Sequence, residues 1–169
     1  MNSEVDFYHF CKYFQKRMRA LELIIDNLDT VFRGDAWHGP SVMEIINSLP
    51  LEKVTQFQNF SSQTIAQHIY HLAAWRKFTI EKLNDNIHYS LETEEDNWGP
   101  TEYNNPEKFN ELVEFLKNQH FALIAELEKY DDDILEKNVP GEYYNFYKLL
   151  NGLIQHDTYH LGMIWVLWQ

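Results

Sequence analysis

Two histidines four residues apart, His156 and His160, stand in the segment Gln155-His-Asp-Thr-Tyr-His near the end of the chain. On a helix that spacing puts both rings on one face, one turn apart. Each imidazole can then aim a nitrogen at the same divalent ion, at about 2 Å. The pair continues an apolar stripe of Leu149, Leu153, Met163 and Leu167. A ring nitrogen on such a stripe faces the core and needs a partner there. A metal is one such partner. The plainer alternative is two core histidines, each hydrogen-bonded to protein.

A third ligand is available earlier in the chain. His68 and His71 lie three apart in Thr64-Ile-Ala-Gln-His-Ile-Tyr-His-Leu-Ala-Ala-Trp, near an inward stripe of Thr64, Trp75 and Phe78. Either could complete a three-histidine set. Three neutral imidazoles leave a divalent ion its full charge and an open coordination position, as a catalytic metal requires. The zinc-protease pattern is absent, because it needs Glu directly after the first histidine as general base. Asp157 stands there instead. Its shorter arm and different reach do not suit that role, and an exposed position, or a contact that orients a histidine, is expected instead. His38, in the turn Trp37-His-Gly-Pro, is a candidate proton donor or substrate contact if that loop covers the bundle mouth. A surface turn histidine is the plain alternative. Tyr70 and Tyr159 are candidates for hydrogen bonds near the site. His9, His88 and His120 have no ligand pattern around them and are assigned no role.

The elements that must position these residues are helical. Apolar residues recur three or four apart over residues 5–32: Phe10, Phe14, Met18, Leu21, Ile25, Leu28 and Phe32. Gly34 stops that helix, and a turn-rich segment follows. Ser41 caps a short helix over 42–48, with Glu44 placed for a capping box. Pro50 ends it, and a polar connection runs to Ser61-Ser62. A second long helix is expected over about 63–84. The acidic run Glu92-Thr-Glu-Glu-Asp-Asn-Trp-Gly-Pro breaks helicity. A third long helix starts near Pro106, a residue favoured in the first turn. The last runs over about 145–168. Four long helices with no convincing strand predict one all-α bundle domain spanning 1–169, with connections long enough to cross a bundle end.

Bulk properties narrow the function. The 169 residues carry a formal net charge of −12, from 14 basic and 26 acidic residues. A nucleic-acid binder needs a cationic footprint, so nucleic acid is not expected as a partner. The basic cluster Lys12, Lys16, Arg17 and Arg19 reads as a solvated helix face. One cysteine, Cys11, permits no internal disulfide and fits a reducing, cytoplasmic setting. The N-terminus lacks a signal-peptide pattern, and no run has the length of a membrane span.

With these motifs in view, the chain resembles the DinB/YfiT-like superfamily of metal-binding helical bundles. The likeness rests on the segment from Thr64 to Arg76 and on Phe146-Tyr-Lys-Leu-Leu-Asn-Gly-Leu-Ile-Gln-His-Asp-Thr-Tyr-His-Leu-Gly-Met-Ile. It extends to Gly34-Asp-Ala-Trp-His-Gly-Pro-Ser. The resemblance implies an up-down-down-up four-helix bundle, often dimeric. It implies one ligand from the second long helix and an HxxxH pair from the last. The family pattern of a histidine followed by three small or apolar residues and an aromatic matches His71 with Trp75, so His71, His156 and His160 are the implied ligands. His68 becomes a neighbouring polar residue. Zinc or nickel is the implied metal. Many members carry Gln where this chain has Met163, which leaves ligation intact and removes whatever contact that Gln makes.

The resemblance implies two chemistries: metal-dependent hydrolysis of a small molecule, and transfer of a low-molecular-weight thiol onto an electrophile. A non-catalytic, metal-stabilised dimer acting as a binding or scaffold protein is the alternative. A third possibility is a helical dimerisation module with core histidines and no metal.

Overall fold

The computed structural model describes residues 19–58, 61–101 and 103–169. Within them are four long helices: α1 (Ala20–Arg33), α4 (Ile65–Leu83), α6 (Pro106–Leu127) and α7 (Phe146–Trp168). Between them lie the short helices α2 (Val42–Ser48), α3 (Leu51–Val54) and α5 (Glu94–Trp98), and a 3-10 turn at Asp132–Glu136. The all-α reading therefore holds. The part of the first expected helix before residue 19 lies outside the described residues, as do Cys11 and most of the basic cluster.

Local chemistry fixes the helix starts. Ser41 accepts from Glu44 N while Glu44 reaches back to Ser41 N, the expected capping box. Thr64 and Gln67 form a second box that launches α4. Asn105 with Pro106 opens α6, and Asn145 opens α7. Two segments differ from expectation. The connection after Pro50 contains a further turn of helix, α3. The acidic segment forms α5, because Thr93 caps Asp96 and the acids of its first turn favour a helix N-terminus.

The running directions follow from contacts that advance along each pair. Tyr70 meets Phe115, Arg76 meets His120, and the Tyr130 hydroxyl donates to Leu83 O, so α4 and α6 run the same way. Trp75 meets His156 while His68 meets His160, so α7 runs opposite to α4. Asp132, just past α6, accepts from the backbone N–H groups of Ala20 and Leu21, so α1 begins where α6 ends.

The core has two apolar clusters stacked along the bundle. One holds Val31, Phe32, Leu72, Leu116 and Ile164, and the other holds Leu28, Phe78, Leu123, Leu150 and Leu153. Between them each long helix contributes one polar residue: Asp29, Arg76, His120 and Asp157. Arg76, His120 and Asp157 have no solvent exposure. No helix among the described residues is long and apolar enough to cross a membrane.

Candidate metal centre

The polar layer is fully paired. Arg76 grips Asp157 with two prongs, Nη1 to Oδ1 at 3.1 Å and Nη2 to Oδ2 at 2.5 Å. Its Nε donates to His120 Nδ1 (3.4 Å), which leaves the His120 proton on Nε2 to donate to Asp29 Oδ1 (3.2 Å). Burial alone would raise the Asp157 carboxyl, but Arg76 beside it holds it below the usual range. Asp157 thus stays ionised in the core, and the option of an exposed Asp157 is corrected. The stripe of Leu150, Leu153, Leu161 and Ile164 carries it inward. His120, given no role from sequence, is the bridge of this layer.

Next to that layer, His71 from α4 and His156 and His160 from α7 bring one ring nitrogen each to within 4.8 Å of one another. These are the three ligands that the resemblance implies. Each sits where the helix puts it: residues 156 and 160 one turn apart, with residue 71 across the α4–α7 interface. His71 and His160 are buried, at 6% and 5% exposure, whereas the His156 side chain is 22% exposed. The site therefore has one open side, at His156.

Tautomers make the set fit a metal. His71 Nδ1 lies 2.9 Å from the main-chain O of Asn97, which can only accept, so its proton sits on Nδ1. The Nε2 lone pair is left free and faces His156 Nε2 at 2.9 Å. Ligand nitrogens on a tetrahedral ion with bonds near 2.0–2.1 Å stand about 3.3 Å apart, so the two rings need only a small opening. Without an ion, His156 must place its proton on Nε2. That leaves its Nδ1 buried without a partner, with Asp157 Oδ1 4.0 Å away, beyond hydrogen-bond range. Ligation through Nε2 moves that proton to Nδ1, on the side of the carboxylate. The orphaned nitrogen is what an ion would relieve.

Burial pushes the His68 and His71 rings down to about 4 and His160 to about 3, with neighbouring histidines adding to the effect. Near neutral pH these three are bare imidazoles, the form that ligates. His68 lies against the set rather than within it, its Nδ1 2.9 Å from His160 Nδ1, and its own Nε2 is buried without a partner. Tyr159 is 64% exposed and touches His160 only edge-on, at 5.0 Å between centroids. His38 is exposed on the turn before α2. That turn packs by Trp165 and Trp168, beyond His160 on α7. Among the described residues His38 makes none of the contacts around the three histidines.

Two contributors were not read from the sequence, and both come from α5. Trp98 stacks flat on His71, with centroids 4.0 Å apart and planes 9° from parallel. It also meets His68 and His160 edge-on. Asn97 supplies the carbonyl that fixes His71. Both follow from the helical turn in the acidic segment, whose capping signal Thr93-x-x-Asp96 is visible in the sequence.

A helical bundle with an open three-histidine cluster between two of its helices defines a class of metal-binding bundle protein. The family comparison agrees. The model of the DinB superfamily matches residues 37–164, about three quarters of the chain, and the chain belongs to that superfamily. No curated protein and no solved structure matched.

Proposed function

We propose that the protein is a divalent-metal-dependent enzyme acting on a small molecule, with His71, His156 and His160 as ligands to one zinc or nickel ion. The observation that carries this is the tautomer pattern: His71 is locked by Asn97 O with its Nε2 free, facing a partially exposed His156. Three protein ligands leave room for water or substrate, whereas structural zinc sites usually have four, often with cysteine. Such an ion, when bound, lowers the pKa of water or stabilises a thiolate. Hydrolysis and low-molecular-weight thiol transfer are the two reactions that fit. In either, α5 would exclude water from one face through Trp98, and the Asp157 carboxylate, 4.0 Å from His156 Nδ1, would favour a proton on that nitrogen by its charge, which is the ligating tautomer. The single cysteine and the family likeness support a cytoplasmic homodimer as the working form, which light scattering would test.

A second reading has its own observation. His68 Nδ1 contacts His160, and recruitment of His68 as a fourth ligand would give a closed site in a binding or scaffold protein. Cobalt(II) substitution separates the two. The enzyme reading expects one ion per chain and a visible spectrum that shifts when azide is added. A spectrum that ignores azide but changes in His68→Ala would favour the closed site. No bound metal, even after zinc and nickel are offered, would overturn both.

A further inference from the structure

We propose that the cavity beside His156 binds the apolar body of a small aromatic carboxylate. The inference rests on the enzyme reading, because it names the substrate class for that site.

The cavity measures about 200 Å³, and His156 forms part of its wall. His156 is also the most exposed of the three proposed ligands. Whatever fills the cavity therefore lies on the open side of the metal centre. Trp75 and Tyr144 supply flat aromatic surface, and Leu149 and Leu153 supply the aliphatic remainder. An apolar cavity of about 150 Å³ takes up benzene, so this one suits a substituted ring or a compact bicycle.

Gly152 is the signal that the space is kept open. It sits in the interior of the 23-residue α7, where glycine costs about 1 kcal/mol relative to alanine. Its φ is ordinary, and a Cβ built on it would meet nothing within 4 Å. Neither backbone conformation nor tight packing requires a glycine there. It lines the cavity, and any larger side chain would occupy it.

Charge selects the rest of the ligand. Lys148 is the one charged residue on the lining. It is exposed, and its ammonium has no ion pair among the described residues. An anionic group at the mouth would pair with it.

The test is calorimetric titration of the zinc-loaded full chain with 2-naphthoate and, separately, with the neutral 2-naphthalenemethanol. One naphthoate per chain is expected. Gly152→Leu, which fills the cavity, should weaken both probes at least tenfold while zinc content stays at one per chain. Lys148→Gln, at an exposed position that does not bear on folding, should weaken naphthoate several-fold and leave the alcohol unchanged. Failure of the wild type to bind naphthoate, or wild-type affinity in Gly152→Leu, would overturn the cavity assignment. Equal naphthoate affinity in Lys148→Gln would overturn the carboxylate. The same titration on chelator-stripped protein separates the two readings: naphthoate binding that persists in protein unable to take up zinc supports the cavity while the metal reading fails.

Discussion

Arg76 and Asp157 face one another across the α4–α7 interface with no solvent access to either side chain, joined by two hydrogen bonds. Removing one charge strands the other in a low-dielectric core. Asp157→Leu or Arg76→Met is expected to cost about 3–5 kcal/mol. The double variant Arg76→Met with Asp157→Leu should recover most of that loss. Urea denaturation of the four proteins, read as a double-mutant cycle, checks this.

Acid should destabilise the metal-free protein by a route the histidines define. Burial holds His68, His71 and His120 down to about 4 and His160 to about 3, against about 6.5 in the unfolded chain. The unfolded state therefore takes up protons first. The stability contributed by the neutral rings is complete above pH ~6.5 and is lost as pH falls from there toward 3–4. Melting temperature measured across pH 4–7.5 should fall steeply in the wild type. His120→Phe, which keeps a ring on Phe32, should flatten part of that slope. A melting temperature independent of pH over this range would refute the assignment.

His68 and the three proposed ligands should separate in a metal titration. Loss of His71, His156 or His160 to alanine is expected to abolish stoichiometric zinc. His68→Ala should retain one zinc per chain with affinity lowered about 10–100-fold, as for groups that orient a ligand. Elemental analysis with competitive chelator titration reads both.

Gly99 provides a handle on α5 that leaves every histidine in place. Its φ is +68°, and a Cβ there would come within 2.5–2.8 Å of the Tyr70 ring. Gly99→Ala must therefore shift the turn that delivers Trp98 and Asn97. Weaker zinc binding and greater solvent quenching of tryptophan fluorescence are expected, with helix content by circular dichroism unchanged.

The long helices were legible because apolar spacing and capping residues are local signals. Pro106, Asn145 and the Ser41–Glu44 box mark starts that the structure keeps. The histidine trio was legible for a similar reason, as two of its members share one helix face and the third matches a motif. The polar layer was harder to see. Arg76 and Asp157 interrupt apolar stripes on separate helices 81 positions apart, and neither stripe reveals what the other offers. His120 looked isolated because its partners, Asp29 and Arg76, lie on two further helices. Asp157 followed a histidine, which drew attention to metal chemistry and away from its own place on the stripe of Leu150, Leu153, Leu161 and Ile164.

The contact between His71 and Asn97 has an evolutionary consequence. The atom that orients the ligand is a main-chain oxygen, which every residue type possesses. Substitutions at position 97 keep that main-chain acceptor, while a one-residue insertion or deletion between Leu83 and Trp98 would displace it. In relatives of this chain, the length of that connection should be held more tightly than its spelling.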